Sequence, residues 1–477
     1  MVFSSPIFLF LFLPVTLLLA YLTQHHKWRN SVLLILSIFF YVFGEGELIL
    51  LMFGSITLNY FIGRWIGTSQ SKTPVVVGLI LNLLILGVFK YASFVIENIN
   101  FVLAHLELSP LKMVHIKLPV GISFYTFHAI SYLLDVHRRQ YKPQKSYVDL
   151  ALYVCLFPQL VAGPIVRYKD IVLQLKDRYL SSHKFHLGLE RFIMGLGKKV
   201  VIANSLGTCA DLIFELNPNQ LSTPTAWFGI ICYSMQLYFD FSGYSDMAIG
   251  LGKMLGFDFL ENFQFPYKSR SIREFWQRWH ISLSNWFRDY LYIPLGGNRV
   301  SPGRIYLNLF IVFFLTGLWH GASWNFLIWG LLHGFFMILE RLGLGRVLER
   351  SPKIIQHLYT LMVVVFAWVF FRADDLPNST SFISSMIGIN NFDGYTIDMF
   401  LNREVVFAFV AGIILSFNGF NWMLRKIFKS AKGSVKSNAV VKFVFVNGRT
   451  VFFLALFVYS ALTVAGGSYN PFIYFRF

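Results

Sequence analysis

Apolar runs, several of them long enough to cross a lipid bilayer, follow one another along the whole of this 477-residue chain. A transmembrane helix takes roughly 20 predominantly apolar residues. A chain that offers such runs repeatedly must bury them among lipids and among one another. Composition agrees: 56% of the residues are hydrophobic, 18% aromatic and only 14% charged, where soluble domains carry about 25% charge. An ordinary globular enzyme, a disordered chain and a small disulfide scaffold are all excluded. The first run, 6–22, has no basic region before it and no small-residue cleavage site after it, so it reads as a first transmembrane helix rather than a removed signal peptide. Further runs lie at 31–43, 48–62, 74–90, 117–134, 148–166, 188–206, 225–241, 305–319, 322–339, 355–371, 405–420 and 450–467. Several are short or broken by Gly, Pro or charge. Roughly 10 to 12 full spans are therefore expected, with re-entrant pieces where protein or a cavity surrounds them. No internal repeat is visible. The expected architecture is one all-α, polytopic membrane domain over 1–477.

The 41 Lys and Arg residues outnumber 24 Asp and Glu, a net charge of +17. They sit in short loops between apolar runs, where they set orientation rather than bind nucleic acid. His25-His26-Lys27-Trp28-Arg29 follows the first run, Gly44-Glu45-Gly46-Glu47 the second, and Arg64 and Lys72 the third. This basic, acidic, basic order places the N-terminus outside and the first loop in the cytoplasm. Segment 425–449, basic throughout, is expected in the cytoplasm, and the acidic segment 373–404 outside. Cys155, Cys209 and Cys232 are widely spaced and form no CxxC or Cys/His finger pattern, so neither a structural disulfide nor a metal site is expected.

Segment 268–304 departs from this pattern, with Lys268, Arg270, Arg273, Arg278, Arg288, Arg299 and Arg304 against Glu274 and Asp289. Within it Ile272, Phe275, Trp276, Trp279, Leu283, Trp286, Phe287 and Tyr290 fall on one helical stripe. Alone, this reads as a cytoplasmic amphipathic helix lying in or partly within the interface. Two roles remain open: an anchor to anionic lipids, or a site for an anionic cosubstrate, whose phosphates arginine forks suit. His280 sits at the edge of the stripe.

Leu315-Thr316-Gly317-Leu318-Trp319-His320-Gly321-Ala322-Ser323-Trp324-Asn325-Phe326 sets His320 between two apolar runs. An ionisable group at that depth is a functional candidate by default, and an imidazole can take a proton from a hydroxyl. A core histidine bonded to a neighbouring carbonyl is the competing reading. Gly317 and Gly321 leave room for a ligand or a close helix. Gln236, Asp240, Ser242, Tyr244, Ser245 and Asp246 are further polar groups inside an apolar run; the acids there serve to orient a base, relay protons or simply bond to partners. His333, His128 and Lys90 rank behind these. Gly195-Leu-Gly197-Lys198-Lys199 lacks the spacing of a phosphate loop, and Gly250-Leu-Gly252-Lys-Met-Leu-Gly256 is not a dinucleotide fingerprint.

Two stretches together carry a resemblance. Tyr238 to Gly250, Phe275-Trp-Gln-Arg-Trp-His-Ile-Ser-Leu-Ser-Asn-Trp-Phe-Arg-Asp-Tyr290 and Tyr292-Ile-Pro-Leu-Gly-Gly-Asn298 form the first; Gly317-Leu-Trp-His-Gly-Ala-Ser-Trp-Asn-Phe326 is the second. The chain resembles the membrane-bound O-acyltransferase family, in particular its bacterial branch typified by the alginate O-acetylase membrane subunit. The likeness runs over nearly the whole chain and is strongest at 118–335. It implies a ring of membrane helices around a funnel, with short helices on the cytoplasmic side. It implies that His320, of the Trp-His-Gly motif, is catalytic, and that His280 is the second essential residue. It implies acetyl transfer from cytoplasmic acetyl-CoA, with no permanently bound cofactor, to an extracellular polysaccharide of alginate type, through a serine-bearing periplasmic acetyltransferase partner or directly. Arg270, Arg273 and Arg278 are the residues expected to meet the donor. Trp319, Asn325, Gln236, Asp240 and Ser242 are the further expected binding contacts. The expected site of action is a bacterial inner membrane. Acceptors of other kinds (peptidoglycan, cellulose, D-alanyl transfer to teichoic acid) stay open, and a transporter or flippase and a non-catalytic scaffold are the rivals from other classes.

Overall fold

In the computed structural model, residues 1–23, 25–113, 116–390, 394–417, 419, 439–467 and 469–470 are described. Most of the basic segment 425–449, and Asp393 of the acidic one, fall outside them. The described residues form helices joined by turns, with a single isolated bridge between Leu221 and Tyr395 in place of any sheet. The protein is a multi-pass membrane protein. Among the described residues, six stretches are long and apolar enough to cross a bilayer: His26–Thr68, Thr73–His105, Pro302–His320, Trp324–Arg350, Lys353–Arg372 and Asn447–Ala465, with Phe8–Leu22 a shorter apolar helix.

In chain order the helices are α1 (Phe8–Leu22), α2 (His26–Glu45), α3 (Ile49–Thr68), α4 (Thr73–His105), α5 (Ile122–His137), α6 (Tyr147–Cys155), α7 (Phe157–Leu160), α8 (Tyr168–Lys176), α9 (Ser182–Gly197), α10 (Asn204–Glu215), α11 (Thr223–Met254), α12 (Ile272–Arg278), α13 (Ile281–Phe287), α14 (Pro302–His320), α15 (Trp324–Leu339), α16 (Gly345–Arg350), α17 (Lys353–Arg372), α18 (Leu376–Met386), α19 (Arg403–Ser416) and α20 (Ala439–Ala465). Helix α11 spans 32 residues yet fails the apolar requirement because of its polar middle; other helices sheathe it, and nearly all of that middle is buried.

Gly195 and Gly250, one from each failed nucleotide motif, help explain how α9 reaches α11. A Cβ on Gly188 would lie 2.6 Å from the Gly250 carbonyl oxygen, and one on Gly250 2.5 Å from that of Gly188. Gly195 and Gly243 repeat the arrangement at 2.5 and 2.8 Å. Two reciprocal pairs, one on each side of an antiparallel crossing, bring the backbones together as small residues do between helices in membranes. The acids of α11 find partners across this crossing. Asp240 pairs with Lys199 at 2.8 Å, and Asp246 with Arg191 at 2.6 Å and Lys198 at 2.7 Å. Of the roles left open for these acids, the structure shows pairing.

The expected single amphipathic helix over the aromatic stripe is corrected. The stripe is divided between α12 and α13, seven residues each, with His280 between them in the left-handed region at φ 43° and ψ 54°. Its rings face protein rather than lipid: Trp286 stacks on Phe127 of α5 at 3.7 Å, Trp279 meets Trp368 of α17 at 4.9 Å, and Trp276 meets Trp329 of α15 at 5.8 Å. Periodicity registers one apolar face and cannot register the break. The break is imposed by segment 258–265, whose Asn262 carbonyl accepts the Ile281 N–H at 3.0 Å and whose Gln264 N–H meets the Arg278 carbonyl at 3.0 Å.

Candidate active site

His320 is the last residue of α14, and the end of that helix is held from α4. The final carbonyls of a helix lack intrahelical partners. Here the Tyr91 hydroxyl donates to the Leu318 carbonyl at 2.8 Å, and the Lys90 ammonium donates to those of Trp319 and, at 3.4 Å, His320. A cation also suits the negative end of the helix dipole. From the other side α15 closes in: a Cβ on Gly330 would lie 2.4 Å from the Phe313 carbonyl oxygen and 2.9 Å from the Gly317 Cα. Gly317 thus makes room for a helix rather than a ligand.

The His320 ring is 4% exposed, and neither ring nitrogen has a hydrogen-bond partner among the described residues. The edges of Trp329, at 4.7 Å, and Phe371, at 5.1 Å, enclose it. A buried polar group without a partner calls for an explanation, and a cavity supplies one. His320 and Trp319 line a space of about 130 Å³ with Lys90, Gly121 and Ser123. Lys90 also borders an adjoining space of about 310 Å³ that includes Gly321, Ser323, Arg372 and Asp374. His333 shares the missing partners but stacks on Phe275 at 5.9 Å and borders neither space.

His280 lies on the far side of Trp319. Its ring is 5.9 Å from the indole, which is 4.9 Å from the ring of His320. His280 is fully buried, and its Nδ1 is 3.1 Å from the Asn262 side-chain oxygen. The structure therefore brings His320, His280 and Trp319 into one cluster. Asn325 lies beside it, bonded through Nδ2 to the Ala373 carbonyl at 2.7 Å, and Ala373 borders the larger space. Gln236, Asp240 and Ser242 are buried in the α11 packing and border neither space beside His320.

On the opposite face a cavity of about 730 Å³ holds Arg270 and Arg273 together with Arg341 and Arg346, tempered by Glu274, Glu340 and Glu349. The start of α12 is fixed there by the Glu340 carboxylate, which accepts the Ile272 N–H at 2.6 Å and the Arg273 N–H at 3.1 Å. Arg278 does not join this cavity; it pairs with Glu274 at 2.9 Å and donates to the Gln264 carbonyl at 3.0 Å. Arg273 and Tyr292 are shared with a largely apolar cavity of about 370 Å³ that reaches Thr316, one turn before His320. The rings of Trp276 and Trp329 separate its end from that histidine. Sequence reasoning missed Arg341 and Arg346, which lie beyond the basic segment. It also missed Asn262, a loop asparagine that no spacing marks, and ranked Lys90 low although its charge inside an apolar run was a usable signal.

Residues 79–383 match the family model of the membrane-bound O-acyltransferases. The chain is 41% identical to a probable alginate O-acetylase AlgI of Pseudomonas putida, with 100% of both chains covered. It is 48% identical to the corresponding protein of Pseudomonas aeruginosa over 79% of this chain and 73% of that one. To a peptidoglycan O-acetyltransferase of Helicobacter pylori it is 39% identical over 82% of this chain and 80% of that protein.

Proposed function

The chain belongs to the membrane-bound O-acyltransferase family and is an O-acyltransferase, and from that premise we propose that it moves acetyl groups from cytoplasmic acetyl-CoA onto an extracellular polysaccharide, with His320 as the base. The observation that carries this reading is the His320 ring, which is buried, has no hydrogen-bond partner among the described residues and forms the wall of a cavity. An alginate-type glycan is the first acceptor by likeness to the two Pseudomonas proteins, and peptidoglycan the second by likeness to the Helicobacter one. Acetyl reaches the glycan directly or by way of a serine-bearing partner in the periplasm.

Donor and acceptor approach from opposite faces. The donor phosphates lie against Arg270 and Arg273, with Arg341 and Arg346 close by, and its arm follows the apolar cavity toward Thr316. Displacement of the Trp276 and Trp329 rings opens the last turn to His320. The acceptor enters past Arg372, Ser323 and Lys90. Charge supports this orientation. Glu45 sits at the Lys90 end, where its carboxylate accepts the Val120 N–H at 3.4 Å. Asn30, beside the first basic loop, bonds at the other end to Asp149 at 2.8 Å and Arg178 at 2.6 Å. Basic residues favour the cytoplasm, which supports an N-terminus outside and an arginine cavity on the cytoplasmic side of a bacterial inner membrane.

In the reaction His320 takes the proton of the acceptor hydroxyl as its oxygen attacks the thioester carbonyl. A C–O bond forms, the C–S bond breaks, and the proton returns from the imidazolium to the departing thiolate, leaving an acetyl ester and a free thiol. General-base help of this kind is worth about 10²–10⁴-fold; positioning away from water supplies much of the remainder. The test is His320→Ala in the producing strain. Glycan acetylation, read by mass spectrometry, should vanish while the protein still inserts; retained acetylation removes His320 from the mechanism.

A further inference from the structure

Helix α5 starts without a capping side chain. Its N-cap is Gly121, at φ 79°, where a Cβ would lie 2.7 Å from the Leu160 carbonyl oxygen. A capping side chain ordinarily accepts the N–H of the second or third helical residue. Here the third, Phe124, donates to the Gly121 carbonyl at 2.9 Å, and the first, Ile122, to that of Pro119 at 3.1 Å. The main-chain N–H of the second, Ser123, finds no acceptor among the described residues. Its hydroxyl is in the same position. The Lys90 ammonium donates to Ser123 Oγ at 3.3 Å. An ammonium accepts nothing, so Ser123 keeps its own O–H proton, which meets no acceptor among the described residues. The ammonium itself is taken up by the carbonyls of Trp319 and His320. Ser123 is 8% exposed and borders the space of about 130 Å³ whose wall also carries the unpartnered His320 ring. A dry cavity of about 150 Å³ holds a benzene-sized molecule, so this one has room for a two-carbon acyl group.

We infer that the start of α5 is the oxyanion site of the reaction, with the Ser123 hydroxyl and main-chain N–H as its donors. As the acceptor oxygen bonds to the thioester carbon, the carbonyl π pair moves onto the carbonyl oxygen and His320 takes the acceptor proton. The new negative charge meets the two Ser123 donors at the positive end of the helix dipole. When the pair returns, the C–S bond breaks and the thiolate takes the proton from His320. Lys90 acts through Ser123: hydrogen bonds in a chain polarise one another, so a hydroxyl that accepts from a cation donates more strongly. Donors fixed in advance, in a site closed to water, favour the transition state over the bound thioester. The inference rests on the acyl-transfer reading and adds to it the group that receives the charge.

The test is Ser123→Ala in the full chain in nanodiscs. Its kcat should fall about 10²–10³-fold, with the donor KM within about twofold, and Ser123→Thr, which keeps both donors, should recover most of kcat. Two inhibitors separate an oxyanion donor from a mere support for Lys90. Acetonyl-CoA, a ketone shaped like the donor, should bind Ser123→Ala and the unaltered protein alike. Trifluoroacetonyl-CoA, whose hydrated carbonyl is tetrahedral like the intermediate, should bind the variant about 10²-fold more weakly. An unchanged kcat, or an equal effect on the two inhibitors, overturns the inference. Should Ser123→Ala fail to insert, the unaltered protein decides by infrared spectroscopy. The ¹³C-labelled ketone of bound acetonyl-CoA should stretch at lower frequency than in water, and an unshifted band overturns the inference. Failure of the unaltered protein to bind either analogue counts against the acetyl-CoA reading itself and takes the inference with it; the other adverse outcomes leave that reading standing.

Discussion

Lys90 spends its charge on the carbonyls of Trp319 and His320 and on the Ser123 hydroxyl at 3.3 Å, all at the boundary of the two spaces beside His320. In Lys90→Met the carbonyls at the end of α14 lose their donor, and His320 loses the tether that fixes its position. The expected outcome is a fall in kcat of about 10²-fold with insertion unchanged, measured by acetyl transfer from labelled donor. Asp289 is a charge hub of another kind, bonded to Arg167 at 2.7 Å, Lys169 at 2.7 Å and Arg288 at 2.8 Å. Burial works to raise its carboxyl, but the hydrogen bonds and charges of Arg288 and Lys169 outweigh that and hold it below the ordinary carboxylate value. A depressed carboxylate adds stability that is complete above its unfolded value, about 3.9, and is lost as pH falls through the lower folded value. Asp289→Asn should therefore unfold at lower temperature than the unaltered protein at pH 7, with the difference narrowing below about pH 4. His320 was legible because an ionisable ring interrupts an apolar run; Asn262 was not, because its importance comes from Ser282 and His280, residues distant in the chain that meet its side chain.

Among the elements, the α14–α15 hairpin depends on backbone approach. Replacing Gly330 by Ala sets a methyl group 2.4 Å from a backbone oxygen that no side-chain movement can clear, and such overpacking costs typically about 1–3 kcal/mol. Thermal unfolding in detergent should show the loss, and acyl transfer should fall with it because the same hairpin carries His320. The α12–α13 pair teaches the reverse lesson. Its aromatic stripe was correctly read as helical, and the wrong expectation was continuity. Apolar spacing of 3 and 4 continues across the bend because both pieces bury rings in one protein interior. The turn at His280 is stabilised from outside the pair, by Asn262, so nothing local announces it.

For the molecule as a whole, the two groups of cavities give the proposed reaction its direction. With Arg270 and Arg273 both replaced by Ala, the donor KM should rise several-fold while kcat stays nearly constant, since uniform binding is what would be lost. An unchanged KM would reduce the segment to a lipid anchor. The orientation is checkable by cysteine labelling, because Cys155, Cys209 and Cys232 are all buried and react slowly. A cysteine placed at Gly46 should be modified from outside the intact cell, and one at His26 only after permeabilisation. The sequence by itself determined that the chain is helical and spans a membrane many times, and it singled out His320, because hydrophobic length, charge bias and an ion amid apolar residues are local quantities. The tertiary structure alone decided that Lys90 caps α14, that α12 and α13 are separate, that Arg278 is spent on Glu274 and that Asn262 meets His280. Each of those depends on backbone groups and charges far apart in the chain being satisfied at one point in space, away from water, and no one-dimensional pattern encodes that requirement.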